Sequence, residues 1–503
     1  MTEPFWGEQL ANPNQNPDLS RRQFMKAAGL VSGVAGGAGL GLFGYAAGTD
    51  PSTYLGWENE EGAIQSFNRK RFEVDEPPYE IVAGTSRPDA RVEQLFERRA
   101  RFRRAWRTVR EGGEFEEPLK SYYESHPEIF ELDRLNVEEI MPALRADREE
   151  YGRRFLLADA WSNAMGAVQP RPVSGPPDEW DFPRPRYDGT VPQPLNMKDP
   201  QKTADLIKKV SHQFGSTLVG ITRLNPDWVY GYPISRRGFS NLDEPLQVPD
   251  HWEYAIVVGV PMSWDPLYAN PPFGTSNDAY SRARIVATRV AAFINALGYP
   301  ARTHTPGTSY DLMVPPIAID AGLGQQGRHS IVITPELGCN FRPAVITTNI
   351  PMATDKPIDF GVDDFCKTCK ICAEQCPSGS ITMGDKIDIR GYRRWEINSA
   401  SCNNMWNSTL GPMGCRICVT VCPYTRKANW LHKAALKVTA NDPTRISDAA
   451  LTGLQERLYE MPDPQSYYIP SLGGENASYR EPPWWLKAED FIDFDSGESD
   501  AGV

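Results

Sequence analysis

Eight of the nine cysteines in this 503-residue chain lie in two runs of the same kind. The first run is Cys366-x2-Cys369-x2-Cys372-x3-Cys376-Pro377. The second run is Cys402-x12-Cys415-x2-Cys418-x3-Cys422-Pro423, the same pattern with its first spacing stretched. Soft thiolates at these short spacings suit iron–sulfur clusters, because one loop can wrap three corners of a cubane. The two runs therefore predict a protein that transfers electrons.

The order of the cysteines also predicts which of them share a cluster. In two-cluster ferredoxins the fourth cysteine of each run binds the other cluster. Cluster one is then expected to be held by Cys366, Cys369, Cys372 and Cys422. Cluster two is expected to be held by Cys376, Cys402, Cys415 and Cys418. The stretched spacing leaves a 3Fe–4S form of cluster two open beside the 4Fe–4S form.

Two other kinds of cysteine site fit the pattern less well. Structural zinc sites also use CxxC pairs, but they do not require the CxxCxxCxxxCP run twice. A disulfide framework is disfavoured because its cysteines are usually spread along a small chain. The ninth cysteine, Cys339, is interpreted as a half-buried apolar residue and not as a ligand.

The first residues are interpreted as a targeting segment. Ser20–Lys26 reads SRRQFMK and precedes an uncharged stretch rich in Ala, Gly and Val. This resembles a twin-arginine (Tat) export signal, expected over residues 1–47. A transmembrane anchor is the alternative, since the stretch is about long enough to span a bilayer. Its many glycines make a poor membrane-spanning helix, which favours the Tat signal. The Tat route carries folded proteins, which suits a protein whose iron–sulfur clusters are already inserted.

The charge balance disfavours a nucleic-acid partner, because the net charge is -12 and such proteins usually carry a concentrated basic surface. The one basic stretch is Arg98–Arg110. Apolar residues recur through it at helical spacing, including Phe102 and Trp106. We therefore interpret it as a solvated amphipathic helix.

Helical and strand-like segments alternate in the middle of the chain. The spacing predicts helices over Thr203–Phe214 and Tyr280–Leu297. Apolar and β-branched runs predict strands, which are Ser216–Ile221, Tyr254–Val260, Ser330–Thr334 and Ala344–Thr348. Such alternation indicates an α/β core.

Several longer segments, in order, resemble one known family. They are GSTLVGITRLNPDWVY (Gly215–Tyr230), AYSRA (Ala279–Ala283), INALGYPA (Ile294–Ala301), AGLGQQGR (Ala321–Arg328) and KPIDFGVDDFCKTCKICAEQCPSGSI (Lys356–Ile381). Together with the Tat signal they resemble the corrinoid-dependent reductive dehalogenases over about half of the chain. The resemblance implies an α+β or α/β fold: a nitroreductase-like corrinoid-binding core fused to a two-cluster ferredoxin-like domain.

The resemblance also implies a domain order and two further properties. The expected units are a signal (1–47), an N-terminal wrapping unit (48–195), a corrinoid-binding core (196–355), a two-cluster domain (356–430) and a C-terminal extension on the core (431–503). The implied cofactors are a base-off corrinoid (cobamide) and two 4Fe–4S clusters. The implied reaction breaks a carbon–halogen bond with Co(I).

Four residues acquire a role through the resemblance. Tyr280 matches the family's proton donor, and Arg342 matches the basic residue beside it, which would favour the phenolate. Trp406 matches a wall of the substrate cavity, and Ser276 matches a smaller wall residue. A shield over cluster two is an equally good interpretation of Trp406. Ser330 departs from the family, which has glycine there, and His304 and His329 are interpreted as structural histidines.

The leading hypothesis is a terminal reductase of organohalide respiration, exported by Tat to the outer face of the cytoplasmic membrane. Its expected partners are a small organohalide, a membrane anchor protein, a membrane electron donor and the Tat translocase. One alternative is an epoxyqueuosine-reductase-like enzyme, which is shorter, cytoplasmic and binds tRNA. The other is a periplasmic iron–sulfur electron-transfer protein without a corrinoid.

Overall fold

The computed structural model describes residues 68–82, 84–146, 194–234, 243–264, 273–305, 310–410, 415–426 and 430–458, with a few single positions besides. The expected export signal, residues 1–47, lies outside these ranges. Among the described helices, none combines the length and the apolar character that a membrane crossing requires.

A helical unit precedes the core. Its elements are β1 (Glu80–Ile81), α1 (Ala90–Glu93), α2 (Leu95–Arg110), α3 (Leu119–Ser125), α4 (Pro127–Leu135) and α5 (Met141–Ala146). The helix predicted over the basic stretch is confirmed as α2. Its Phe102 is fully buried and stacks on Trp106 with ring centroids 4.9 Å apart. The aromatic spacing of α2 therefore forms the small core of this unit.

The amphipathic helix is confirmed, but the expectation that its basic residues are solvated was wrong for two arginines. Arg98 and Arg99 are buried, and the Nε of each donates to a carboxylate oxygen of Asp133 at 2.7 Å. Arg99 also donates to the side chains of Asn403 and Asn404. A buried guanidinium is tolerated only where charge and hydrogen bonds compensate it. Asp133 and the two amides provide that compensation, and helical spacing alone does not reveal them.

The core sheet has four strands, which are β2 (Leu218–Arg223), β3 (Tyr254–Pro261), β4 (Ala301–His304) and β7 (Phe341–Thr348). A separate pair is formed by β5 (Gln325–Gln326) and β6 (Val332–Ile333). The order in the core sheet is β2-β3-β7-β4, and every pair is antiparallel. The core is therefore α+β. Strands β3 and β4 run in the same direction around a long helix, but β7 inserts between them. The order of elements along the chain does not reveal that insertion.

Helices cover one face of the sheet. They are α6 (Pro200–Gln213) and α7 (Phe273–Ala296), close to the predicted helices but beginning earlier. Ile256 and Val258 of β3 pack on this face with Val286 and Val290 of α7. Their neighbour Val257 belongs to the opposite face, as the period of two in a strand requires. All eight residues of β3 are buried, so both faces of the sheet are covered.

The opposite face of the sheet contacts α8 (Val314–Asp320) and the cysteine-containing segment in one continuous core. The helices of that segment are α9 (Val362–Thr368), α10 (Ile371–Glu374), α11 (Ser399–Met405) and α12 (Ile417–Thr420). Strands β8 (Ile387–Ile389) and β9 (Tyr392–Arg394) pair there with β1. Two helices follow, α13 (Trp430–Asn441) and α14 (Ile446–Leu458), and Arg445 before α14 donates to the carbonyl of Gly361 before α9 at 3.0 Å.

Candidate redox and active site

The eight cysteines of the two runs lie in two neighbourhoods of four. Around Cys372, burial raises the thiol pKa, and the sulfurs of Cys366, Cys422 and Cys369 raise it further. Burial likewise raises the pKa of Cys418, with contributions from Cys415, Cys402 and Cys376. These neighbourhoods correspond to the two ligand sets expected from the ferredoxin pattern.

The donor set fits iron–sulfur clusters. Buried thiols that repel one another's ionisation are costly to hold as thiolates unless a cationic centre compensates them. Short helices α9, α10 and α12 present Cys366, Cys372 and Cys418, and α11 presents Cys402. Cys422 returns from the second run to the first group, as a fourth ligand of cluster one would.

The predicted catalytic pair is close together. Tyr280 lies on α7, and Arg342 lies near the start of β7. The guanidinium carbon of Arg342 is 5.2 Å from the centroid of the Tyr280 ring. Its Nη2 is 3.4 Å from the hydroxyl of Ser276, one helical turn before Tyr280. Three of the four residues suggested by the resemblance therefore share one site.

A residue that the sequence analysis did not identify completes this group. Arg416 follows the cluster-two cysteine Cys415, and its Nε donates to the Ser276 hydroxyl at 2.7 Å. Its guanidinium carbon is 5.9 Å from the centroid of Trp406. The one sequence signal was its position inside the Cys415-x2-Cys418 loop, which places it beside a cluster.

The two guanidiniums alter the acidity of Tyr280. Burial raises the pKa of Tyr280, but the positive charges of Arg342 and Arg416 and a hydrogen bond from Arg342 outweigh it, so the pKa is lowered from 10.0. For its neighbour Tyr310, burial and Tyr280 raise the pKa well above the usual value. Of these two tyrosines, Tyr280 is the stronger acid, which suits a proton donor.

The position of Trp406 agrees with both of its interpretations. It opens a π-helical turn, Trp406–Leu410, directly after α11, the helix that carries Cys402. It packs partly buried against the core, and its buried indole Nε1 has no hydrogen-bond partner among the described residues. Trp406 thus directly follows the helix of Cys402 and its ring lies near Arg416, so it can both cover cluster two and border the Tyr280 site.

The expectation for Cys339 was wrong in one respect. The residue is not half-buried but fully buried, and its Sγ is 2.9 Å from Thr425 Oγ1 and 3.5 Å from His329 Nε2. His304 is also buried, and its Nε2 is 3.1 Å from Thr347 Oγ1. Cys339 therefore lies within a polar cluster that its sequence neighbours did not indicate.

The departure at Ser330 has a backbone explanation. Ser330 has φ 59, a left-handed conformation that glycine adopts at little cost. Its hydroxyl donates to the carbonyl of Trp395 at 2.9 Å, which holds the serine in this conformation. The expected glycine and the observed serine thus serve the same turn.

Comparisons with known proteins agree with this geometry. Residues 365–425 match the 4Fe-4S dicluster domain. A tetrachloroethene reductive dehalogenase of Sulfurospirillum multivorans is 31% identical over 299 residues, covering 53% of this chain and 58% of that protein. An epoxyqueuosine reductase of Shewanella oneidensis is 28% identical over 154 residues, covering 29% of this chain and 38% of that enzyme.

A solved structure extends the likeness to three dimensions. A reductive dehalogenase whose structure suggests a mechanism for B12-dependent dehalogenation superposes with a TM-score of 0.58 and 22% identity, over 79% of this chain and 50% of that chain. This likeness shows the fold, an α+β core joined to a dicluster iron–sulfur domain. More particularly, it is the reductive dehalogenase fold, and the family resemblance predicted from the sequence motifs is confirmed. The chain spans 58% of the length of its curated relative.

Proposed function

We propose that this protein is a reductive dehalogenase that replaces halogen by hydrogen on a small organohalide, using two 4Fe–4S clusters and a corrinoid. One observation carries the proposal. Tyr280, with a lowered pKa, lies beside Arg342 and Arg416, and the charge of Arg416 also acts on the cluster-two thiols Cys415 and Cys418. A proton donor and an electron relay thus meet within one small group of side chains.

The proton in this reaction comes from Tyr280. Replacing C–X by C–H leaves a carbanion-like or radical carbon that needs a proton, and a positioned phenol can supply it. Arg342 and Arg416 stabilise the phenolate that remains. Ser276 accepts hydrogen bonds from both arginines and keeps their charges directed at the tyrosine.

The corrinoid would supply the low-valent cobalt that cleaves the carbon–halogen bond. Unpaired buried polar atoms among the described residues fit a ligand rich in amide groups, because such a ligand both donates and accepts hydrogen bonds. They include Arg342 Nε, Asn340 Oδ1 and Trp406 Nε1. We assign Asn340 and Trp406 to its binding, whereas Arg342 acts mainly on Tyr280.

Electrons are proposed to enter at cluster one and leave from cluster two. Arg416 joins Cys415 to the Tyr280 site, so cluster two is the nearer donor. The sulfur of Cys418 also raises the pKa of the Cys372 thiol, so the two ligand groups lie near each other. We further propose Tat export and a peripheral place on the outer membrane face, where a membrane anchor protein and a membrane electron donor can reach cluster one.

The test is reconstitution with iron, sulfide and cobalamin, followed by metal analysis and a halide-release assay with reduced viologen as electron donor. The substrates are a haloalkane, a haloalkene and a haloarene. We expect eight irons and one cobalt for each chain and halide release from at least one class. Iron without bound corrinoid would support the electron-transfer alternative. Bound corrinoid with turnover of epoxyqueuosine tRNA but no halide release would support the epoxyqueuosine alternative.

A further inference from the structure

Three buried side chains meet behind cluster one. The imidazole of His329 and the sulfurs of Cys339 and Cys422 have ligand atoms that all lie within 4.8 Å of one another. Their residues are 2%, 0% and 5% exposed. The Cys422 sulfur therefore lies within 4.8 Å of the ligand atoms of both His329 and Cys339. Cys422 is a proposed cluster ligand, whereas the ferredoxin pattern gives the other two residues no role.

The backbone determines which nitrogen of His329 carries the proton. The amide N–H of Ile331 donates to His329 Nδ1 at 3.2 Å, so Nδ1 is an acceptor. A neutral imidazole has one donor and one acceptor nitrogen, and the proton is therefore on Nε2. Nε2 is the atom that faces Cys339 Sγ at 3.5 Å. His329 is thus built as an N–H donor directed at sulfur.

Cys339 has its own arrangement for donation. Its backbone N–H donates to Thr425 Oγ1 at 3.1 Å, and the threonine hydroxyl, which lies 2.9 Å from the Cys339 sulfur, can donate to that sulfur. The Cys339 S–H can then be directed at Cys422, whose sulfur lies within 4.8 Å, in place of the contact with the Val419 carbonyl at 3.9 Å from Sγ. His329 and Cys339 are therefore both oriented by neighbouring backbone or hydroxyl groups.

Two unusual backbone positions bring these donors into place. Ser330 holds the left-handed turn that directly follows His329. Gly338, with φ 60, precedes Cys339, and a Cβ there would collide with the carbonyl of Tyr424. The close approach places Cys339 against the segment that follows Cys422. The turns at Ser330 and Gly338 therefore bring both side chains close to the Cys422 sulfur.

Cluster two has a weaker counterpart. Among the described residues, the Cys376 sulfur has the hydroxyl of Ser378 at 3.4 Å, and that hydroxyl also contacts Ser380. Hydrogen bonds to ligand sulfur stabilise the reduced cluster, because they spread the negative charge of the added electron. The two clusters thus have different polar surroundings on the sulfurs that cross between the runs.

We propose that His329 and Cys339 are positioning residues that donate hydrogen bonds to the Cys422 thiolate and raise the reduction potential of cluster one. The inference rests on the proposed ligation of cluster one by Cys422 and is independent of the dehalogenation reaction. Its consequence is an electron-accepting cluster one that external donors reduce readily.

The test is an EPR-monitored redox titration of the full-length holoprotein and its variants. Cys366→Ser identifies the cluster-one signal, because it alters a ligand of that cluster alone. We expect His329→Leu and Cys339→Ala to lower the midpoint potential of this signal with eight irons retained. His329→Gln, whose amide keeps an N–H donor, should restore much of the potential. Ser378→Ala is the matched control and should leave the cluster-one signal in place.

Three outcomes would overturn the proposal. One is an unchanged cluster-one potential in both His329→Leu and Cys339→Ala. Another is an equal shift of both clusters, which would mean a general structural effect. The third is loss of iron from Cys339→Ala, which would make Cys339 a ligand and not a donor. None of these measurements uses an organohalide, so their result stands apart from that of the halide-release assay.

Discussion

The Nε of Arg416 donates to the hydroxyl of Ser276 at 2.7 Å, and this bond joins the cluster-two loop to the helix that carries Tyr280. Arg416 directly follows Cys415, and Ser276 lies one helical turn before Tyr280. Any change in the charge of cluster two therefore acts on a guanidinium that also acts on the tyrosine. The proposed electron donor and the proposed proton donor share one hydrogen-bonded residue.

Tyr280→Phe removes the proposed acid with little change in shape. We expect halide release to be abolished, while iron and corrinoid contents stay at wild-type levels, because the hydroxyl serves the reaction and not cofactor binding. The measurement is halide release together with metal analysis and the optical spectrum. Tyr310→Phe is the matched control, since it removes the hydroxyl bonded to the carbonyl of Pro343 nearby. Normal turnover by Tyr280→Phe would exclude Tyr280 from the mechanism.

Arg342→Leu should cut activity more than cofactor loading, because its charge acts on Tyr280. Losing a positive charge raises the pKa of Tyr280, since the phenolate is less stabilised. The acid must be protonated, so activity is lost as the pH rises through this pKa. The alkaline limb of the pH–rate profile should therefore move to higher pH, with a lower plateau. Arg342→Lys keeps the charge and should leave the limb in place.

Arg416→Gln should move the alkaline limb in the same direction, because Arg416 is the second positive charge on Tyr280. An additional effect is expected on the cluster-two EPR signal, since the charge lies beside Cys415 and Cys418. The readouts are the pH–rate profile and the EPR spectrum of the same preparation. A shifted pH–rate profile with an unchanged EPR spectrum would mean that Arg416 acts on Tyr280 but not on cluster two, which would contradict the shared role.

Asp133→Ala leaves Arg98 and Arg99 buried without their carboxylate. Removing one partner of a buried ion pair costs about 3–5 kcal/mol, so the denaturation midpoint of the holoprotein should fall markedly. Cluster two should also become labile, because Arg99 contacts Asn403 and Asn404 beside Cys402. Glu131→Ala is the control. Glu131 pairs with Arg134 at an exposed site, where solvent screens the charges, so the midpoint should change little.

Asp320 predicts a pH dependence of stability. It accepts hydrogen bonds from Tyr79 at 2.6 Å and Trp228 at 3.0 Å, but burial raises its pKa from 3.8 to about 6. The folded protein binds this proton more tightly than the unfolded chain. Stability is therefore greatest below the unfolded pKa and falls as the pH rises through about 6.

The free energy of unfolding should fall by on the order of 3 kcal/mol as Asp320 ionises. It is measured by chemical denaturation at pH 5 and pH 8, with Asp320→Asn as a variant that cannot ionise. The unfolding free energy of the variant, relative to that of the wild-type protein, should be higher at pH 8 than at pH 5. A constant difference would contradict a perturbed Asp320.

Local patterns predicted most of the individual elements. The apolar run over Tyr254–Val260 became the buried strand β3, and the stripe from Val286 to Ile294 became the packed face of α7. Both predictions depend on short-range periodicity, which directly determines the face of a strand or helix that is buried. The predicted fold class, a mixed α and β core joined to a two-cluster domain, is confirmed, but the alternation of elements did not reveal that β7 inserts between β3 and β4. Periodicity is silent on such long-range pairing.

By itself, the sequence determined the cysteine runs, the expected cluster ligands and the family resemblance that identified Tyr280 and Arg342, because short spacings and local motifs encode them. Only the tertiary structure brought Arg416 to Ser276, Arg99 to Asn403 and His329 to Cys422. Each of these contacts joins segments far apart in the chain, and each buries a polar group whose partner compensates its desolvation. Such pairings depend on how the two faces of the sheet are covered, which no local pattern specifies.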